Sequence, residues 1–177
     1  MARRPGGAAD DGAVVVEFAL VLPVLMVLLL GMFSGATAWN QNQTMGHGAR
    51  IAARHAATLP LPASPTPAAL DAWLDGVADL AVASSAGELG PGQGRTVCVA
   101  YVHPVGAAPL ATRSRTLGPD GTRSTGSAPC VADDQAATAR RIQVVVGRDA
   151  VLDAGLYRHP LRLHQQVTFA YEAHVGL

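Results

Sequence analysis

Residues 13–38 read AVVVEFALVLPVLMVLLLGMFSGATA, and one charge, Glu17, is all that interrupts them. From Phe18 to Phe33 there is no charged or amide side chain. About 20 helical residues, each rising ~1.5 Å, cross the hydrocarbon core of a bilayer, so this stretch is long enough to span one. Pro23 falls inside the run. A soluble helix loses about 3 kcal/mol to an internal proline, whereas membrane helices accommodate it, so a kink rather than a break is expected. The sequence therefore predicts a single membrane anchor that starts near Ala13 and leaves the bilayer near Trp39.

Glu17 is the informative residue within that anchor. A carboxylate placed in a membrane helix is expensive, and such residues mark function; the alternative is an acid lying at the level of the lipid headgroups. Gly12 stands five positions before it, in the segment Gly12-Ala13-Val14-Val15-Val16-Glu17-Phe18. This arrangement resembles a prepilin processing site. The run EFALVLPVLMVLLLGMF (17–33), followed by AWNQNQTMGHGARIAARHAA (38–57), resembles the N-terminal region of TadE-like pilus assembly proteins, the pseudopilins of tight-adherence (Flp-type) systems. The resemblance covers about residues 10–60. It implies that a prepilin peptidase cuts between Gly12 and Ala13, so that residues 1–12 are a leader and Glu17, beside Phe18, becomes the fifth residue. The acid at that place would meet the N-terminal ammonium of a neighbouring subunit during assembly. The implied partners are the membrane, other pilin or pseudopilin subunits, the pilus assembly machinery and the peptidase.

Arg3 and Arg4 precede the span and Arg50 and Arg54 follow it, so the positive-inside rule is nearly balanced. A cytoplasmic N-terminus is expected because that end is short and carries two arginines and an amine. The C-terminal part is then extracytoplasmic. A cleaved secretory signal is the rival reading, since Ala36-Thr37-Ala38 has the small-residue form of a signal peptidase site. Against it, signal h-regions run ~7 to 15 residues and this run is longer.

Beyond the span, Met45, Ala49, Ala52, Ala56 and Leu59 recur at helical spacing, with Asn40, Gln43, His47, Arg50, Arg54 and Thr58 opposite. The helix is thus predicted to continue until Pro60 and Pro62 stop it, giving a rod of roughly 70 Å over 13–59. Gly46 and Gly48 are its weak point, each worth about 1 kcal/mol less than alanine. Gly31 and Gly35 form a GxxxG pair that lets another membrane helix approach closely. After the prolines, Thr66-Pro67 reads as an N-cap with proline at the first helical position, and Leu70, Trp73, Leu74, Val77 and Leu80 form an apolar stripe. Strands are predicted at 96–103, 141–146 and 161–172, the last with clear alternation. Residues 104–129, rich in Gly, Pro, Ser, Thr and Arg, read as a mobile, disordered loop. The fold class is α+β: a long N-terminal transmembrane and amphipathic helix, pilin-like in its stalk, carrying a small head (60–177) of one helix and about three antiparallel strands.

Thirteen basic residues, all arginine, balance thirteen acids, so no charge excess points to nucleic acid. Three Phe, three Tyr and two Trp are few for a ligand pocket or a base-stacking platform. The histidine spacings, eight between His47 and His55 and five between His159 and His164, fit no zinc motif. Gly90-Pro91-Gly92-Gln93-Gly94 lacks the lysine of a phosphate loop. No catalytic residue, metal site or cofactor is expected, and the protein is read as non-enzymatic. Cys98 and Cys130 both follow the span; a disulfide is favoured if that part is exported, with two free thiols as the alternative. The competing functional class is an envelope-anchored or secreted binding module with no pilus role.

Overall fold

The computed structural model describes residues 8–62, 66–104, 111–133, 138–153, 155 and 157–172, with the backbone alone over 8–11. Helix α1 runs unbroken from Ala8 to Thr58, through Pro23 and through both glycines of the expected weak point. Tertiary packing explains why Gly46 and Gly48 do not break it. A Cβ at Gly48 would stand 2.8 Å from the carbonyl oxygen of Ala81 and 3.1 Å from the nitrogen of Ser85. The glycine thus lets a second helix, α2 (Pro67–Ala83), cross in direct backbone contact. At Gly46 the neighbour is instead the flexible end of Gln165, with Oε1 3.2 Å from the same position.

α2 begins as its sequence dictates: the Thr66 side chain accepts from the Ala69 N–H at 3.2 Å and Pro67 opens the first turn. Its buried face is Leu70, Leu74, Val77, Ala78 and Ala81; Trp73 and Leu80 flank the core, half-buried. Five antiparallel strands follow: β1 (Thr96–Val102), β2 (Arg113–Leu117), β3 (Arg123–Gly126), β4 (Arg141–Asp153) and β5 (Arg158–Ala170). They form one sheet in the order β3-β2-β1-β4-β5. The fold is α+β, a long apolar helix joined to a small head.

Both helices cover one face of this sheet. Because side chains alternate along a strand, Val97, Val99 and Tyr101 of β1 share that face with their register partners Val146, Val144 and Ile142 of β4. These residues close on Met45, Ala49, Ala52, Ala53 and Ala56 of α1 to make the core. The small α1 side chains matter, since alanine and glycine let helix and sheet approach closely enough to exclude water. The end of β5 clasps the end of α1. The Tyr171 hydroxyl donates to the Leu59 carbonyl at 3.0 Å and accepts from the Leu61 N–H at 2.9 Å, and the Glu172 N–H donates to the Ala57 carbonyl.

Two expectations are corrected. The head has five strands rather than about three, and the additional pair, β2 and β3, lies within 104–129, the segment read as a disordered loop (residues 105–110 lie outside the described residues). Of its helix-facing positions, Arg113, Arg115, Leu117, Arg123 and Thr125, only Leu117 is apolar, so the segment lacked an apolar period. Arg113 pairs with Asp71 at 2.5 Å, Arg115 with Asp75 at 2.8 Å, and Arg123 with Asp75 at 3.0 Å and Asp79 at 2.5 Å. Asp71, Asp75 and Asp79 are spaced by four on α2 and so fall on one face of that helix. The Arg113 hydrogen bond holds Asp71 below the usual carboxylate range. Burial raises Asp75, but hydrogen bonds and charge from Arg115 and Arg123 outweigh it, and it too titrates low.

The opposite face carries the cysteines. Cys98 and Cys130 are joined in a disulfide with Cα atoms 5.8 Å apart. It draws the chain that returns from β3 across the back of β1 and β4. There Gln143, fully buried, accepts from the Val131 N–H and donates to the Val131 carbonyl and to Asp133, as a strand's backbone would.

Candidate functional site

The first half of α1 differs from the second in what surrounds it. From Val14 to Phe33 the large side chains are exposed, among them Phe18, Leu20, Met32 and Phe33, while from Met45 onward the inward face is buried. The uncovered portion is long and apolar enough to cross a membrane. Exposed leucine, valine and phenylalanine in such numbers are unfavourable in water, at about 25 cal/mol per Å², and favourable in lipid or against another helix.

The structure places every sequence-singled residue of this half on the same uncovered rod. Gly12 and Ala13 lie within α1, near its start, and the positions a Cβ would occupy at Gly12, Gly31 and Gly35 meet nothing within 4 Å. Glu17 and Phe18 follow a turn after Ala13 and are exposed. Gly31 and Gly35, four apart, share one open face. About 100° around the helix, Leu30 and Ser34 face the tip of the β4–β5 hairpin instead. The Ser34 Oγ accepts from the Asp153 N–H at 2.8 Å, and a Cβ at Gly155 would lie 3.0 Å from Leu30 Cδ1. The sequence reading missed this contact; the lone serine in an otherwise aliphatic stretch was its only local signal.

Between Pro5 and Gly46 the sequence contains no Arg, Lys or His. Cys98 and Cys130 sit in the head, far from this site, and are consumed in the disulfide. Among the described residues no cluster of three His, Cys, Asp or Glu is placed to hold a metal ion. A shallow groove lies where the helix emerges, between Phe33, Ala36, Thr37, Asn40, Gln41 and Glu88.

A glycine at the head of an uncovered apolar helix, an acid one turn in, and an amphipathic continuation form a pattern that comparison with known families tests directly. Residues 12–54 match the family model described as TadE-like protein. The matched stretch starts at Gly12 and ends inside the buried half of α1, so the TadE-like segment is this helix and excludes the sheet. No curated protein and no solved structure matches the chain. The head accordingly rests on its own geometry, and the similarity is confined to the helix.

Proposed function

We propose that this protein is a non-enzymatic, pseudopilin-like subunit that works in assembly of a tight-adherence (Flp-type) pilus or a related secretion apparatus. The TadE-like match points to a role related to pilus assembly. The observation that carries the finer reading is the isolated acid: Glu17 stands on a lipid-competent helix with no cationic residue between Pro5 and Gly46. A carboxylate desolvated without a partner is strongly unfavourable, and pairing with a positive charge offsets that cost.

Cutting between Gly12 and Ala13 creates such a charge. The new ammonium at Ala13 lies one helical turn, about 6 Å along the axis, from Glu17, and an equivalent ammonium on a neighbouring subunit is open to it because Ala13, Glu17 and Phe18 are exposed among the described residues. Gly12 suits the cut. It lies near a helix end, where the backbone frays readily, and it presents no side chain to the peptidase. The N-terminus is then cytoplasmic and the head extracytoplasmic, the compartment in which a Cys98–Cys130 disulfide persists. Gly31 and Gly35 offer the close approach for a pilin or machinery helix.

The test is the N-terminus of the protein isolated from its native host. N-terminal sequencing or intact mass should place it at Ala13, and Gly12→Leu should abolish that product while leaving the protein in the membrane fraction. A start at Met1 or Ala2 together with normal pilus assembly would refute the processing reading. A start at Trp39 would show a secreted protein instead.

A further inference from the structure

The head and the membrane are not held apart by a free stalk. β4 and β5 extend beyond the core as a hairpin that runs obliquely down α1. Gln165 packs at Gly46, Asp153 bonds to Ser34, and Gly155 reaches Leu30. Ser34 and Leu30 lie 12 and 16 residues before Gly46, so the hairpin descends about 18 to 24 Å along the helix below that contact. Its tip ends beside the apolar run that spans the bilayer.

We propose that the tip of the β4–β5 hairpin is a second membrane contact, seated in the headgroup layer of the leaflet from which α1 emerges, with the lipid bilayer itself as the partner. Height along α1 is the first argument. A span of about 20 residues counted from Ala13, just past Asp10, Asp11 and Gly12, ends near Met32. A tip touching Leu30 and Ser34 therefore sits astride the hydrocarbon boundary. Its depth is limited as well. Backbone N–H and C=O groups at a hairpin end cannot be satisfied inside hydrocarbon, so the tip stops at the interface.

The side chains at the tip fit that layer. Val151 and Tyr157 are 57% and 63% exposed, large apolar surfaces that the head leaves in the open. Tyr157 stacks on His159 and shares a hydrogen bond with it, an aromatic body with a polar edge. Phe33 and Trp39 on α1, also exposed, lie just below and about 8 Å above the level of Ser34. Together Phe33, Trp39 and Tyr157 form an aromatic belt of the kind that membrane proteins set at the bilayer surface. The nearby cations are matched internally: Arg158 with Asp153 at 2.6 Å, and Arg162 with Asp149 at 3.6 Å. The contact is thus apolar and aromatic, and it requires no anionic lipid.

This seating also sets the register of the span. With the outer boundary at Leu30–Ser34, about 30 Å of helix places the inner boundary between Asp10 and Val14. Glu17 then lies about 4 to 10 Å inside the hydrocarbon rather than among the headgroups. The inference rests on α1 crossing the bilayer and not on a pilus role or on cleavage at Gly12.

The experiment uses the full chain in nanodiscs of zwitterionic lipid, with Trp39 and Trp73 replaced by Phe and one reporter tryptophan introduced at a time. Tyr157→Trp and Val151→Trp are the test positions, Phe33→Trp reports the span, and Ser127→Trp marks the distal end of the head. Expected at both test positions are blue-shifted emission and several-fold stronger quenching by lipids labelled near the headgroup than at Ser127→Trp. Quenching at Phe33→Trp with none at the two tip positions would overturn the second contact while leaving the anchor intact. Tip quenching that is stronger from mid-chain labels than from shallow ones would overturn the headgroup seating. Loss of quenching at Phe33→Trp as well would remove the span on which the inference rests. Because Tyr157 and Val151 are solvent-exposed in the head, neither replacement disturbs its core, and far-ultraviolet circular dichroism checks this directly.

Discussion

Gly46 and Gly48 are two residues apart on one helix, yet alanine should have opposite effects at them. Removing glycine from a helix interior gains about 1 kcal/mol in both cases. At Gly46 the new methyl meets only the end of Gln165, at 3.2 to 3.4 Å, and that side chain can swing aside. Gly46→Ala should therefore stabilise the head by roughly 0.5 to 1 kcal/mol. At Gly48 the methyl would lie 2.8 Å from the Ala81 oxygen, 3.1 Å from the Ser85 nitrogen and 3.2 Å from the Ser84 carbonyl carbon, all backbone atoms at the end of α2. Relief requires α1 and α2 to separate by several tenths of an ångström, which loosens the packing of Ala49, Ala52, Ala78 and Ala81 at once. Overpacking of this kind costs about 1 to 3 kcal/mol, more than the propensity gain. Gly48→Ala should lose about 1 to 2 kcal/mol net, or roughly 3 to 8 °C in Tm for a head of this size. Thermal unfolding in detergent, followed by the fluorescence of Trp73, which packs against the core, would measure both. Equal stabilisation by the two alanines would refute the backbone contact between α1 and α2.

Reduction of Cys98–Cys130, or Cys98→Ser with Cys130→Ser, should cost about 3 to 4 kcal/mol by the chain-entropy argument, read as a lower denaturation midpoint with and without a thiol reductant. Asp71 and Asp75 titrate below their ordinary range in the folded head, so they contribute stability above about pH 4 that is lost as the pH falls through their folded values. Urea midpoints from pH 6 down to 2.5 should drop below pH 4, and the drop should shrink in Asp71→Asn; an unchanged acid limb in that variant would contradict the role of the ion pairs. Glu17→Gln should leave the head's unfolding midpoint unchanged while impairing assembly, which a pilus count beside a melting curve would separate.

The two helices and three of the strands were legible because each had a strong local signature. A run without charge announces a membrane segment, Thr66-Pro67 announces a helix start, and the alternation from Leu161 to Tyr171 announces a strand. β2 and β3 were not, because Leu117 is the one apolar residue among inward positions dominated by Arg113, Arg115 and Arg123, whose partners on α2 lie some forty residues away. Periodicity sees polarity and not pairing. Gly48 failed for a similar reason: helix propensity marks it as a weakness, and only the approach of Ala81 turns it into a requirement. At the candidate site, Gly12, Glu17, Gly31 and Gly35 were readable as spacings along one helix. The height of the hairpin tip against Leu30 and Ser34 depends on tertiary register, which no local pattern encodes.

One helix thus serves two solvents, and the division between them bears on the order of events at Glu17. The upper half of α1 is built from Gly46, Gly48, Ala49, Ala52, Ala53 and Ala56, small residues buried under α2 and the sheet. The lower half is built mostly from large aliphatic side chains that are exposed, with the hairpin tip reaching it at Leu30 and Ser34. Changes below Leu30 can therefore alter association without touching the fold of the head. Within that lower half the acid is isolated: no cation occurs between Pro5 and Gly46. An acid desolvated in the bilayer without an opposite charge beside it is costly. The proposed cut after Gly12 would set an ammonium one turn away on the same helix and expose another to each neighbour, giving the acid a cationic partner. Processing would then do more than remove a leader; it would create the charge that makes an intramembrane glutamate an attractive element between subunits rather than a penalty within one.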